Sequence, residues 1–270
     1  MDEIKTSDIS AENRAEILNI IENFRLMDDT FMSKVFEDKA CAELLLRVIL
    51  NRDDLTVVQV VSQFELKNLQ GRSARLDIYA VDEHGKQYDV EVQRSDDGAA
   101  PRRARYNSSL LDANLLNPGD KFDELPESYI IFITEHDVLK GGKPLYTVNR
   151  TISELDHAIF TDGSHIIYVN GEIRNGTALG ELMQDFFCKD PREMHYKALS
   201  DRAGYFKKDK EGVDTMCKLV EDYGNKKTYE QAVRFATKLW NKGERDLQQI
   251  ADLTDLPLDE VKKLFEGKTA

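Results

Sequence analysis

The chain has 270 residues, a length that predicts one or two domains. Of these residues 41% are hydrophobic and 32% are charged, which is typical of a soluble globular protein and not of a disordered or fibrous one. Its formal net charge of −13 argues against nucleic-acid binding, because duplex binding normally requires a basic surface. No apolar run is long enough to span a membrane, and three widely spaced cysteines match no zinc pattern, which favours reduced thiols in a cytoplasmic protein.

The N-terminal part of the chain is predicted to be helical. Ala11 to Glu22 has the pattern of a short amphipathic helix. Asp28-Asp29-Thr30 then offers capping residues for a longer helix from Phe31 to Leu50, in which apolar side chains recur at helical spacing. The next run, Leu55 to Phe64, is rich in β-branched residues and predicts a strand.

Two short strands around a tight turn are predicted between Arg75 and Gln93. Asp82 to Lys86 supplies the turn, with Gly85 where a three-residue hairpin loop needs a left-handed residue. The register that this turn sets gives one mostly apolar face, which we expect in the core: Leu76, Ile78, Ala80, Tyr88, Val90 and Val92. The opposite face carries Arg75, Asp77, Tyr79, Asp89, Glu91 and Gln93.

The same register places Asp77 opposite Glu91, with Cβ atoms about 5 Å apart. Like charges this close repel each other, so a cation between them would stabilise the pair. Mg²⁺ is the natural candidate, since proteins usually hold it with one or two carboxylates plus water and substrate phosphate. The alternative is an ordinary solvated strand face, and a register shifted by one residue would separate the two carboxylates.

A helix is predicted from Pro101 to about Leu116, because proline suits the first turn of a helix. Arg102, Arg103 and Arg105 crowd that first turn, where the helix dipole disfavours cations. A phosphate bound at this end of the helix would explain the arrangement. The alternative is that the arginines pair with acidic residues of the preceding loop or elsewhere on the acidic surface.

Three further strands, Tyr129 to Thr134, Leu145 to Val148 and His165 to Asn170, are predicted to complete the sheet near residue 175. Beyond it the spacing predicts helices over residues 179–188, 192–207, 212–223 and 229–242. The sequence therefore predicts one domain over residues 1–175 and a helical region over residues 176–270.

The last segment, Leu247 to Phe265, has the spacing of two short helices around a turn, as in a helix-turn-helix. Asp259 and Glu260 open the second helix, where a DNA-reading helix usually carries neutral or basic side chains. DNA reading and a helical hairpin that only packs or oligomerises both stay open.

Asp77, followed after thirteen residues by Glu91-Val92-Gln93, resembles the D…(D/E)-x-K signature of the PD-(D/E)xK nuclease superfamily. More specifically, the chain resembles the PD-(D/E)xK nuclease family transposases, akin to the recombination-promoting nucleases. The resemblance extends from about residue 24 to the C-terminus, and three further segments make it more specific: Arg105-Tyr106, Asn117 to Asp120, and Tyr129 to Thr134. Gln93 stands where the signature has Lys.

The resemblance implies a restriction-endonuclease-like α/β fold, with an αβββαβ core around a central mixed sheet and a helical C-terminal region. It implies that Mg²⁺ or Mn²⁺ is held by Asp77, Glu91 and the backbone carbonyl of Val92. Gln93 would hold the attacking water through its amide but would supply no positive charge. The residues implied to contact DNA are Arg102, Arg103, Arg105 and Tyr106.

The implied function is a metal-dependent DNA endonuclease, which hydrolyses phosphodiester bonds and is associated with recombination or a transposable element. The alternative is a catalytically inactive nuclease-fold protein that acts as a DNA- or protein-binding module. The acidic composition predicts weak, salt-sensitive and metal-dependent DNA binding. Only the enzyme predicts binding of Mg²⁺ or Mn²⁺ that Asp77→Asn or Glu91→Gln abolishes.

Overall fold

The computed structural model describes residues 11–68 and 71–266. By its internal contacts the chain divides into two compact units, Leu18–Val213 and the combination of Met1–Ile17 with Asp214–Ala270. The predicted domains, residues 1–175 and 176–270, include residues 1–10, 69–70 and 267–270, which lie outside the described residues. That division of the chain stays a prediction.

A six-stranded mixed sheet forms the centre of the Leu18–Val213 unit, with the spatial order β1-β2-β3-β4-β8-β5. The first three strands are antiparallel, β3, β4 and β8 run parallel, and β5 is antiparallel to β8. The strands of this sheet are β1 (Val57–Leu66), β2 (Ala74–Asp82), β3 (Gln87–Gln93), β4 (Ser128–Thr134), β5 (Leu145–Val148) and β8 (Ser164–Asn170). A separate two-stranded ribbon consists of β6 (Thr151–Ile152) and β7 (Ala158–Ile159).

The helices of the described chain precede the sheet, interrupt it once and follow it. They are α1 (Ala11–Asn23), α2 (Asp29–Val35), α3 (Lys39–Leu50), α4 (Pro101–Leu115), α5 (Ala178–Phe187), α6 (Lys197–Lys208), α7 (Lys210–Asn241), α8 (Leu247–Thr254) and α9 (Leu258–Phe265). In chain order, α3, β1, β2, β3, α4 and β4 form the expected αβββαβ core. The predicted fold class is confirmed.

The turn of the β2–β3 hairpin forms as predicted. Gly85 has a left-handed conformation with φ of 77°, and the Asp82 carboxylate accepts the backbone N–H groups of His84 and Lys86, both at 2.9 Å. Strand pairing follows the predicted register through Ile78 and Val90. All six residues of the predicted apolar face are buried: Leu76, Ile78, Ala80, Tyr88, Val90 and Val92.

The single helix predicted from Phe31 to Leu50 is wrong, because the structure has two helices there. α2 ends at Val35, and α3 begins after Asp38. The Asp38 side chain accepts the backbone N–H groups of Ala40 and Cys41 and so satisfies donors that every new helix start leaves unpaired. Asp38, which the apolar periodicity placed inside one long helix, is therefore the N-terminal cap of a second helix.

Helices α5 and α6 pack against the helices that precede the sheet. The ring of Phe36 stacks on Phe186 with centroids 5.7 Å apart, and Phe31 meets the edge of Phe206 at 6.5 Å. These four aromatic side chains are almost completely buried. The core of the Leu18–Val213 unit therefore includes segments from both sides of residue 175.

The C-terminal helices differ from the prediction in two places. The helix predicted over residues 192–207 begins at Lys197, after a 3-10 turn at Pro191–Glu193. The two helices predicted over residues 212–223 and 229–242 are one 32-residue helix, α7. The pair of short helices predicted after residue 247 is confirmed as α8 and α9, and the ring of Trp240 stacks on Phe265 at 4.4 Å. The structure does not test whether this helical hairpin reads DNA or oligomerises.

The sequence also predicted that no segment spans a membrane and that the cysteines are reduced thiols. Within residues 11–68 and 71–266, no helix is long and apolar enough to cross a membrane. The three cysteines, Cys41, Cys188 and Cys217, are free, and the first and last of them are buried. A cytoplasmic location stays a prediction.

Candidate nuclease site

The face of the hairpin that carries Asp77 and Glu91 is covered by helix α4. Glu91 and its neighbour Asp89 are completely buried, and Tyr79 on the same face is 8% exposed. Tyr79 belongs to an apolar cluster that also contains Ala104 and Leu111 of α4. The acidic residues therefore do not lie on an ordinary solvated strand face, which was the alternative interpretation of this pattern.

Asp77 and Glu91 are held close to each other by the side chain of Gln93. The Gln93 amide nitrogen lies 3.1 Å from Glu91 Oε2 and 3.5 Å from Asp77 Oδ2. Asp77 Oδ2 also accepts the backbone N–H of Val92 at 3.0 Å, which fixes one carboxylate to the adjacent strand. The structure thus brings together the three predicted catalytic side chains and the backbone of Val92.

A third carboxylate, that of Asp89, lies behind the pair. The Asn107 amide nitrogen donates to Asp89 Oδ2 at 3.1 Å and to Glu91 Oε1 at 3.2 Å. Asp89 Oδ1 is buried and has no hydrogen-bond partner among the described residues. We call Asp77, Asp89 and Glu91 the carboxylate cluster.

Burial and mutual repulsion destabilise the ionised forms of the three carboxyls in this cluster. Burial is the largest cause that raises the pKa of each carboxyl above its ordinary value. Nearby negative charges add to it: Asp29 raises the pKa of Asp77, and Asp77 and Asp89 both raise that of Glu91. A cation placed among them would reverse these shifts.

The cation that the chain itself supplies is Arg103, from the first turn of α4. Its guanidinium forms an ion pair with Glu91 Oε2 and also donates to Gly98 O at 2.8 Å and to Gln93 Oε1 at 3.1 Å. This contact lowers the pKa of the Glu91 carboxyl, but burial and repulsion exceed it. In the described part of the chain Arg103 alone forms an ion pair with any of the three carboxylates, and Arg75 lowers the pKa of Asp77 without such a contact.

The donor set fits a hard divalent cation such as Mg²⁺. Two carboxylate oxygens, on Asp77 and Glu91, converge on one point, and Val92 lines the same cleft. The orphaned oxygen of Asp89 is a further sign that positive charge is missing here. Among the described residues, no group of three or more His, Cys, Asp or Glu side chains is arranged to hold a metal. Water and substrate oxygens would therefore complete the shell.

An open cleft of about 910 Å³ leads to Asp77 and Gln93, and we call it the hairpin cleft. Basic residues line it: Arg72, Arg75, Arg94, Arg102 and Arg103. Arg94 is already paired with Asp28 and Glu135. In the described part of the chain, Arg72 and Arg102 form no ion pair and both are exposed. A protein with an acidic total thus concentrates arginines around one cleft.

The predicted DNA-contacting residues occupy different places around the cleft. Arg102, Arg103 and Tyr106 line it, whereas Arg105 is exposed and lies outside its lining. The Tyr106 hydroxyl donates to Arg72 O and accepts the Asn68 amide at 3.1 Å, so it ties α4 to the segment before β2. Contact of these residues with DNA stays a prediction.

Sequence analysis assigned no function at this site to four residues that the structure places there: Asp29, Arg72, Asp89 and Asn107. Asp29 lines the cleft, although its position before an apolar run suggested only a helix cap. For Asn107 a signal existed, because it lies four residues after Arg103 and therefore on the same helix face. Arg72 and Asp89 became recognisable only when the packing of α4 on the hairpin was known.

Residues 31–175 match the sequence model of a family described as PD-(D/E)XK nuclease family transposase, and they include the hairpin, α4 and all six strands of the sheet. No curated protein and no solved structure matches the chain.

Proposed function

The chain belongs to the PD-(D/E)XK nuclease family transposases, a family of nucleases associated with transposition, and from this premise we propose that it is a metal-dependent DNA endonuclease acting at the hairpin cleft. The observation that carries the proposal is the convergence of Asp77 Oδ2 and Glu91 Oε2 on one point beneath a cleft lined with arginines. The first feature suits a divalent cation and the second suits phosphate.

Each residue has a defined task in this proposal. Asp77, Glu91 and the Val92 carbonyl would hold Mg²⁺ or Mn²⁺, which would supply an activated water and positive charge at the scissile phosphate. The Gln93 amide orients the attacking water. Because glutamine is neutral, the charge that a lysine would supply comes from Arg103, whose guanidinium already lies beside Glu91.

The arginines around the cleft would bind the DNA backbone. Arg72 and Arg102 are exposed and form no ion pair with a described residue, so their charges are available to phosphates. The net charge of −13 opposes this attraction over the rest of the surface. We therefore expect binding that is weak at physiological salt and strengthens at low salt.

The test is nicking of supercoiled plasmid at low salt with Mg²⁺ or Mn²⁺ by the wild-type protein and by Asp77→Asn. We expect cleavage and a metal-induced rise in melting temperature in the wild type, and neither in the variant, because metal binding stabilises only a folded site. Asp53→Asn is the control, since Asp53 is an exposed carboxylate in the turn before β1 and lies outside the cleft lining. Equal cleavage by the wild type and Asp77→Asn would contradict the proposal.

A second function keeps the fold without the chemistry: a DNA- or protein-binding module. One observation favours it, namely that Gln93 and Arg103 already bind both carboxylates of the pair and Gln93 replaces the signature lysine. The two functions differ in a direct way. A binding module shows neither cleavage nor a metal-induced rise in melting temperature, while its DNA or protein affinity does not depend on Asp77.

A further inference from the structure

The Oε2 atom of Glu91 has no lone pair left for another ligand in the arrangement that the structure shows. Its Oε1 accepts the Asn107 amide, and its Oε2 accepts both the Gln93 amide and the Arg103 guanidinium. A carboxylate oxygen accepts about two hydrogen bonds through its lone pairs. A metal ion that binds Oε2 must therefore replace one of the two donors.

Arg103 is the donor whose departure is favoured by electrostatics. It is positively charged, so it repels an incoming cation, whereas the Gln93 amide is neutral. Its side chain is 37% exposed while that of Glu91 is 0% exposed, so the guanidinium has solvent-facing space on the cleft side. The cleft is also where a phosphodiester would lie.

We propose that Arg103 is an exchangeable counter-cation, which neutralises Glu91 in the metal-free site and transfers to a DNA phosphate when a divalent metal takes its place. This inference rests on the proposed function and adds a sequence of events to it. Metal binds first, and its binding frees Arg103 to contact a phosphate. Because coupling between two ligands is reciprocal, metal and DNA then increase each other's affinity.

The exchange makes the contribution of Arg103 to DNA binding depend on metal. Without metal, the ion pair with Glu91 neutralises the charge of Arg103, and the carboxylate cluster beneath the cleft repels phosphate. With metal bound, the guanidinium loses its partner, and a phosphate oxygen pair matches its planar fork. The rim residue Arg102, one position earlier in the same helix, forms no ion pair with a described residue and should attract phosphate with or without metal.

The first experiment measures Mn²⁺ affinity without DNA, by electron paramagnetic resonance of the free ion. We expect Arg103→Gln to bind Mn²⁺ about 10-fold more tightly than the wild type, since the competing charge is gone. Arg102→Gln removes the same charge from the neighbouring position and should leave the affinity within about 2-fold. Equal or weaker Mn²⁺ binding by Arg103→Gln would overturn the exchange.

Loss of a buried ion pair can impair folding, so a second variant is needed. Arg103→Lys keeps the positive charge but has no planar fork with which to bind Glu91, Gln93 and Gly98 together. We expect its Mn²⁺ affinity to lie between those of the wild type and Arg103→Gln. An affinity below that of the wild type in this variant would also overturn the proposal, provided that its circular dichroism spectrum is that of the wild type.

The second experiment measures binding of a fluorescent 20-base-pair duplex in EDTA and in Ca²⁺, with duplex integrity checked on a gel. The duplex affinity in Ca²⁺ divided by that in EDTA should exceed 1 in the wild type. This ratio should be about 10-fold lower in Arg103→Gln. Arg102→Gln should weaken binding in both buffers and keep the ratio. If Arg103→Gln weakens binding equally in both buffers, Arg103 is a simple phosphate contact and no exchange takes place.

The results separate this inference from the proposed function. If the wild type and Arg103→Gln both fail to bind Mn²⁺, the metal site itself is absent and both proposals fail. If the wild type binds Mn²⁺ and cleaves plasmid but Arg103→Gln gains no affinity, only the exchange fails.

Discussion

Gly98 lies directly against the amide of Gln93: a Cβ atom on Gly98 would stand 2.1 Å from Gln93 Oε1 and 3.0 Å from its Cδ. That same oxygen accepts a hydrogen bond from Arg103, while the amide nitrogen reaches both carboxylates of the pair. The orientation of Gln93 thus depends on the absence of a side chain at residue 98.

We predict that Gly98→Ala reduces plasmid cleavage about 100-fold, because it forces Gln93 out of the position that orients the attacking water. Stability should change little, since the clash is with the end of a flexible side chain and Gly98 needs no left-handed backbone. Gly85→Ala is the matched control. Its φ of 77° strains an alanine while nothing lies near the new Cβ, so it should lose about 1 kcal/mol of stability and keep its metal affinity. Unchanged cleavage by Gly98→Ala would show that the Gln93 amide is not used.

The carboxylate cluster should destabilise the metal-free protein as the pH rises above about 4, the ordinary carboxyl range. The folded-state pKa values of Asp77, Asp89 and Glu91 are raised, mainly by burial, so the folded protein binds more protons than the unfolded chain above that pH. The stabilisation is therefore complete at low pH and is lost as these groups ionise. Urea unfolding in EDTA across the pH range measures it.

Two comparisons sharpen this pH prediction. Glu91→Gln should flatten the pH dependence, whereas Asp53→Asn, in an exposed turn, should keep it. Added Mg²⁺ should stabilise the wild type more at high pH than at low pH, because metal binds the ionised carboxylates. A pH dependence that Glu91→Gln leaves unchanged would contradict the raised pKa of Glu91.

Asn107→Leu should destabilise the protein by about 1–3 kcal/mol, since it leaves buried acceptors on Asp89 and Glu91 without their donor. It should also weaken Mn²⁺ binding, because Glu91 loses the contact that fixes its orientation. Asn114→Leu on the same helix is the control: Asn114 is exposed and bonds only backbone carbonyls. Calorimetric unfolding and Mn²⁺ titration of both variants measure the difference. A loss of stability in Asn107→Leu with unchanged Mn²⁺ affinity would assign Asn107 a purely structural role.

Arg72→Gln should weaken duplex binding similarly for all sequences and reduce the slope of log affinity against log salt by about 1. Arg72 is exposed, lines the cleft and forms no ion pair with a described residue. Arg192→Gln removes a charge that is also exposed but is paired with Asp190 outside the cleft lining, and it should keep the slope. Fluorescence anisotropy at several salt concentrations distinguishes the two variants.

The parts of the fold and site that could be predicted from sequence depend on local rules. The left-handed turn at Gly85 fixed the hairpin register, and strand alternation then placed Asp77 and Glu91 on one face. The proline at residue 101 marked the start of α4 correctly. Each of these inferences spans fewer than about 20 residues.

The parts that could not be predicted depend on which helix covers which strand. Sequence alternation put Asp89 on the same face as Glu91, but only α4 shows that the face is buried and that Asn107 reaches both carboxylates. The break at Asp38 was missed for a different reason. An aspartate that caps a helix and one on its exposed surface look the same when the apolar periodicity continues on both sides.

The aromatic contacts between Phe36 and Phe186 and between Phe31 and Phe206 bear on how this protein can be shortened. Residues 31–175 carry the family match, yet a polypeptide that ends at residue 175 would lack the partner ring in both pairs. Buried phenylalanines would then face water, and such surfaces promote aggregation. Recombinant fragments intended for crystallisation should therefore extend at least through α6.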